Sequence, residues 1–357
     1  MLLKRVTPRI ISLAMSEQFE SHYQQSEVQT STDAASARVV EQVEQVAEEH
    51  VEQTRQALFE RLPELAAQLS EQEVRTLAAV GEKDAGTFTH LMDVAETVQQ
   101  HMPMLQKILA TEKLPSEALA KAALFHDVGK LGLPTRLVQG TVGEQALQTR
   151  LAVLLEDPDG DTTFLDERLR ALGQLPSWKN ANALTPEQKG KLSSRARELL
   201  TLAQYFGGDP EALAECRAYG LDPEQTSFMD ALHTHEAQTK EILENLGYAP
   251  DDPVAAVAGT HHNYSDELRH YPLSTAFLEI VDMYEALTQE RTYQAGRSSL
   301  EALHTIMQAP KGDPFHRRMR AKFVREKLKE LDFSTVTARE HELLDAIERG
   351  ITREPDL

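Results

Sequence analysis

Apolar and polar positions alternate with helical spacing along nearly the whole chain. From Ala37 to Leu62 the apolar positions Val40, Val43, Ala47, Val51, Thr54 and Leu58 follow at intervals of 3, 4, 4, 3 and 4. That spacing predicts one long amphipathic helix with Glu and Gln around its stripe. The stripe serves either to pack the helix on its own domain or to pair it with a second copy of the chain. Residues 75–135 predict a helix around His90 and another leading into His126, approached by Leu119, Ala122, Ala123 and Phe125. Gly129, Gly132 and Pro134 close the second of these. Residues 140–220 read as a helical insertion cut by the turns EDPDGD (156–161) and GGDPE (207–211). LTPEQ (184–188) and LDPEQ (221–225) both read as helix starts, with Thr or Asp as cap, Pro in the first turn and an acid behind. Longer helices return over 226–330, and the charged tail holds one more, TAREHELLDAIERG, ending at Gly350. Strand signals are nearly absent. The expectation is an all-α helical bundle in three parts. These are an N-terminal helical extension (1–74, with a loose polar segment at 16–36), a domain (75–330) carrying the insertion at about 140–220, and a helical tail (331–357).

Charge narrows the classes of partner. The 357 residues carry 37 Lys and Arg against 57 Asp and Glu, a formal net charge of −20. Nucleic-acid polymers and anionic membrane surfaces reward clustered positive charge, so neither is expected as a partner. A small anion held by metal or by local positive charge stays open. The single cysteine, Cys216, forbids an intrachain disulfide and a cysteine-rich zinc site. No apolar run approaches the roughly 18 residues of a membrane span. The opening MLLKRVTPRIISLAM is basic but lacks the apolar core and small-residue cleavage site of a secretory signal, and Met15 is a second candidate start. A cytoplasmic protein is expected.

Thirteen histidines are spread along the chain, in differing surroundings. His126 and Asp127 stand side by side at the end of an Ala/Leu-rich helix. Burying both is costly unless something satisfies both. A divalent cation does so, since imidazole and carboxylate are both good ligands. For the dipeptide alone, a structural histidine beside a capping aspartate is the commoner explanation. Lys130 lies four residues after His126 and three after Asp127, on nearly the same helix face, where it can hold a phosphate oxygen. His261 and His262 end the small apolar run PVAAVAGT (253–260). Asp282 sits among Leu278, Ile280, Val281 and Leu287, so it is expected to be buried and to need a metal or an arginine. His90 in TFTHLMDVAE and His235 in HTHEAQTKEIL read singly as ordinary core or surface histidines. Together, these five histidines and two carboxylates are the inventory of a two-metal site.

These stretches resemble the HD superfamily of metal-dependent phosphohydrolases. ALFHDVGKLGLP (123–134) is similar to the HD-GYP branch, the helical cyclic-di-GMP phosphodiesterases. EKDAGTFTH resembles the branch's first motif and places its histidine at His90. The HD pair and following lysine correspond to His126, Asp127 and Lys130. HEAQTKEIL resembles the next histidine motif, which selects His235 over His233 and puts Thr239 where the pattern has glycine. His261 and His262 correspond to the paired histidines. DMYEALTQERTY resembles the late aspartate motif through Asp282, Tyr284, Ala286, Leu287, Thr288, Arg291 and Tyr293. The resemblance covers roughly 75–135 and 222–330. It has departures. Asn263 follows the paired histidines where the branch has Glu, the Gly-Tyr-Pro loop is missing, and 263–282 is shorter than the branch's segment. Tyr271-Pro272-Leu273 corresponds to a later Ile-Pro-Leu of the branch. Gly86 stands where a subset has the glutamate that supports a third metal, so two metals are expected.

The resemblance implies a phosphodiesterase with Asp127 and Lys130 as catalytic residues. Asp127 would bridge two divalent transition-metal ions. His90, His126 and Asp282 would complete one shell, and His235, His261 and His262 the other. An activated water would attack phosphorus while the ions and Lys130 neutralise phosphoryl charge. Mixed imidazole and carboxylate ligands suit Fe, Mn or Zn, and the resemblance favours Fe or Mn. Arg291 either binds a substrate phosphate or makes an ion pair that locks helices. Asn263 either supports a ligand histidine or is a turn residue. The primary expectation is hydrolysis of cyclic di-GMP to the linear dinucleotide. The alternatives are a phosphohydrolase of another nucleotide or phosphoester, motivated by the shortened segment, and a non-catalytic signalling module. Retention of every expected ligand type speaks against the last.

Overall fold

Polar caps start several of the helices and buried apolar faces hold them together. The computed structural model describes residues 37–139, 200–262, 270–289, 297–308, 314–331, 333 and 337–352. The segment 16–36, the EDPDGD and LTPEQ turns of the insertion, Asn263, Arg291 and Tyr293 lie outside the described residues. Helices α1 (37–45) and α2 (Glu48–Arg61) lead into α3 (Glu71–Lys83), which begins at a reciprocal cap between Ser70 and Glu73. Asp84 caps α4 (Ala85–Gln100) by accepting from the Thr87 amide at 2.8 Å. Next come α5 (Met102–Glu112), α6 (Ser116–Phe125) and a 3₁₀ turn, Val128–Gly132. At the end of the insertion Asp209 and Pro210 start α7 (Pro210–Ala218); after it Ser227 caps α8 (Phe228–Asn245) and Asp252 caps α9 (Pro253–Ala258). Then follow α10 (Pro272–Thr288), α11 (Ser299–Gln308), α12 (Pro314–Glu330) and α13 (Ala338–Thr352).

The chain is an all-α bundle. Among the described residues the only extended pairing is one antiparallel bridge, Thr201 to Ser227. Helix α4 packs on α3, α6 and α10; α9 packs on α6 and α8; and α8 lies across the 3₁₀ turn. One core runs from Val39 of α1 to Ile351 of α13 and includes the helices around His90, His126 and Asp282. A second, smaller core joins Leu133 and Leu137 to Leu202, Tyr205, Leu213 and Cys216 at the end of the insertion and to Phe228 and Ala231 of α8. No helix among the described residues is long and apolar enough to cross a membrane.

Three local expectations are corrected. The predicted helix from Ala37 to Leu62 is two helices, broken at Val46–Ala47, where Ala47 is extended. Val39, Val43 and Val46 are buried in or just after α1, and Val51, Thr54 and Leu58 in α2, while Val40 is 45% exposed. Val51 lies five positions after Val46, so a continuous helix would turn one of them outward; the break brings both inward. The Arg75 guanidinium bridges the break, donating to the Val46 carbonyl at 3.2 Å and to Glu48 at 2.5 Å. The stripe is thereby used inside the chain, and α1 and α2 present Val40 and Phe59 as their large exposed apolar side chains. LDPEQ forms a turn, not a helix start, because the Thr226 carbonyl is taken by the Leu202 amide and Ser227 starts α8 instead. Helix α13 runs through Gly350 to Thr352, since Gly350 packs in helical conformation against Met307 of α11.

Candidate metal centre

The site is built on helix ends. Apolar residues bury α6 and carry His126, fully buried, to its C-terminal cap. Helix α9 is likewise buried, and the turn that follows its Gly259 cap carries His261, also fully buried. His235 lies mid-way along α8, His90 within α4 and Asp282 within α10, all on buried faces. His126 Nδ1 is 2.7 Å from the Ala123 carbonyl, His235 Nδ1 2.5 Å from that of Leu232, and His261 Nδ1 2.7 Å from that of Ala258. In each case the partner is the residue three positions back. A carbonyl accepts only, so each Nδ1 carries a proton and each neutral ring presents its Nε2 lone pair to the pocket.

The seven predicted side chains converge. His235, His261 and His262 form one group of ligand atoms, His90, His126 and Asp127 a second, and His126, His261 and Asp282 a third that overlaps both. Asp127 lies between the first two. Its Oδ1 is 3.1 Å from His235 Nε2 and 4.0 Å from His261 Nε2, while its Oδ2 is 3.5 Å from His126 Nε2. Asp282 faces the same space from α10, with Oδ1 2.8 Å from His90 Nε2 and 3.7 Å from His126 Nε2, and Oδ2 3.9 Å from His262 Nε2. His233 is exposed, outside this cluster.

Two observations test whether cations fit. The Nε2 atoms of His235 and His261 are 3.4 Å apart, so two neutral rings would point lone pairs at each other. A shared cation or proton removes that repulsion. Among the described residues His126 Nε2 is buried with no hydrogen-bond partner, an arrangement that costs free energy unless a ligand satisfies it. Lone pairs and carboxylates aimed at one space, with Nδ1 atoms tied to backbone, are a divalent-cation donor set.

The electrostatics agree. Burial alone would raise the Asp127 carboxyl, but Lys130, His126 and His235 together hold it well below its usual range. The same contest leaves Asp282 low, through His126 and His90. Burial, reinforced by neighbouring imidazoles, pushes His261 well down and His262 to about 4. Burial opposes protonation of His126, yet Asp127 and Asp282 raise it.

Lys130 reaches the site through an ion pair with Asp127 Oδ2. Several supporting side chains escape a reading of motifs. The Glu236 carboxylate accepts from the His262 amide at 2.6 Å, tying the paired-histidine turn to α8. Its position directly after His235 was the one available signal. Lys83 donates to the carbonyls of Leu131, at 2.6 Å, and Leu133, below the 3₁₀ turn. Glu112 accepts from the amides of Leu273 at 2.7 Å and Ser274 at 3.1 Å, fixing the start of the Asp282 helix. No local pattern marks that pairing, which spans 161 positions.

A pH dependence follows for metal-free protein. The folded chain holds His262 near 4 and His261 low, and His101, buried beside Phe277 and Phe323, also shifts down. The unfolded chain titrates its histidines near about 6.5. Between those values the unfolded state binds protons that the folded state refuses, so stability falls as pH drops. Burial shifts His233 down as well, so His126 alone opposes four histidines that act together. The urea midpoint of chelated protein is expected to be lower at pH 4.5 than at pH 7.5; an equal or higher midpoint would contradict this account of the histidines.

The chain matches no family model, no curated protein and no solved structure.

Proposed function

We propose that this chain is a two-metal phosphohydrolase of the HD-GYP type, opening a cyclic dinucleotide, most directly cyclic di-GMP, to its linear product. One observation carries the reading: the two oxygens of Asp127 face separate histidine groups, His235 with His261 on one side and His126 on the other. His90, His126 and Asp282 would hold one ion and His235, His261 and His262 the other, with Asp127 shared. Two divalent ions, iron or manganese by the donor set and the resemblance, supply an activated water and neutralise phosphoryl charge when bound.

The chain's own residues prepare that chemistry. The Nδ1 bonds hold three imidazoles against rotation, so their Nε2 atoms stay aimed. Lys130, only 16% exposed, sets an ammonium beside Asp127 where negative charge develops on the phosphoryl oxygens. Arg291 is assigned a phosphate contact. The net charge of −20 speaks against a nucleic-acid polymer and leaves room for a small anion held by the metals and Lys130. The same reading places the protein in the cytoplasm, among nucleotide substrates. The short interval between His262 and Asp282 favours a second reading, in which another nucleotide or phosphoester is the substrate.

Purified protein is expected to hold about two transition-metal ions per chain. With manganese or reduced iron it is expected to convert cyclic di-GMP to the linear dinucleotide. Two metals and turnover of a different phosphoester would shift the assignment to the second reading. No metal and no turnover on any cyclic dinucleotide would end both.

A further inference from the structure

The turn that carries Asp127 and the helix that carries His235 are far apart in sequence, yet the site requires them at a set distance. Besides close packing, a buried hydroxyl bonds the one to the other. Thr239 is fully buried, one helical turn after His235 on the same face of α8. Its Oγ1 donates to the His126 carbonyl at 3.0 Å and accepts from the Gly129 amide at 3.0 Å. A hydroxyl has one proton to give and lone pairs to receive, so both of its capacities are used. The two backbone groups flank Asp127. The His126 carbonyl belongs to the peptide just before it, and the Gly129 amide lies two residues after it. The Asp127 backbone is therefore held from both sides by an atom that moves with His235. The distance so defined is the 3.1 Å between His235 Nε2 and Asp127 Oδ1.

We infer that Thr239 is a positioning residue for the metal centre, its hydroxyl setting the spacing between the Asp127 turn and the His235 helix. The inference rests on the metal-centre reading above. Thr239 touches neither a metal nor a substrate; it acts through the backbone of two ligand-bearing segments. Supporting groups of this kind tune metal affinity by about ten- to a hundredfold. Thr239→Val keeps the shape and removes both hydrogen bonds. Thr239→Ser keeps the hydroxyl and removes only a methyl group.

The test is titration of the full-length, chelated protein with manganese(II), and with cobalt(II) to read the visible ligand-field spectrum. Thr239→Val is expected to bind both ions about ten- to a hundredfold more weakly and to show an altered cobalt spectrum. Thr239→Ser is expected to restore affinity and spectrum to those of wild type. Thr239→Ala, measured in parallel and expected to weaken binding as Val does, decides the matter should the Val variant not fold. Wild-type affinity and spectrum in the Val or Ala variant would overturn the assignment while leaving the metal centre standing. A Ser variant as weak as the Val variant would also overturn it, because packing and not the hydroxyl would then be responsible. Failure of the wild type itself to bind either ion would remove the metal-centre reading, and this role with it.

Discussion

Replacing Asp127 by alanine is expected to abolish metal binding at the shared position and lower turnover by at least roughly 10³-fold. The reason is geometric. Asp127 is 3.1 Å from His235 on one oxygen and 3.5 Å from His126 on the other, so its loss separates the two histidine groups. Asp282 is committed to His90 at 2.8 Å and stands farther from the His235, His261 and His262 group, at 3.9 Å from His262 Nε2. The fold is expected to persist, since Asp127 contributes no cap and α6 is buried through its own apolar residues. Metal analysis, turnover and far-ultraviolet circular dichroism on one preparation decide this. Two metals per chain with undiminished turnover in the variant would remove Asp127 from the chemistry.

The second large effect is expected at Gly129. A methyl group there would lie 1.9 Å from the His235 carbonyl oxygen, 2.6 Å from the Thr239 amide nitrogen and 2.7 Å from its hydroxyl. The nearest two are backbone atoms of a helix and cannot swing aside. Gly129→Ala must push the Asp127 turn off α8, at a cost of about 3 kcal/mol or more. The melting temperature is expected to fall by roughly 4 °C or more, and metal binding to weaken with it. Gly81→Ala is the control. Its methyl group would meet the Phe88 side chain at 3.6 Å, ordinary contact, so helix propensity alone predicts a gain of about 0.5–1 kcal/mol. A Gly129→Ala protein that melts with the wild type would refute the close packing of turn on helix.

Much of the site is legible along the chain because its residues stand in locally improbable settings. His126 and His261 end short helices of Ala, Leu and Val, and Asp282 interrupts an apolar helix face. Buried polar groups need partners, so such positions are visible before any fold is known. Other parts are not legible. The predicted stripe is buried at Val43, Val51, Thr54 and Leu58 but exposed at Val40 and Ala47, because the chain breaks at Ala47 and α1 and α2 each turn their own face to the core. Thr239 was visible only as a departure from a glycine pattern; its two hydrogen bonds reach across 113 and 110 positions. Glu112 and Lys83 brace ligand-bearing segments through contacts that leave no periodic trace.

The sequence by itself determined the helical class, which residues are chemically able to bind cations, and which faces had to be buried. Those properties follow from side-chain period and polarity over one or two turns. The tertiary structure alone decided that the first helical stretch breaks at Ala47, that Glu112 and Lys83 brace the ligand-bearing segments, and that Thr239 joins the Asp127 turn to the His235 helix. These depend on how helices distant in sequence are set against one another by the shared core, and the relative placement of two helices is a property of the whole packing, not of either segment.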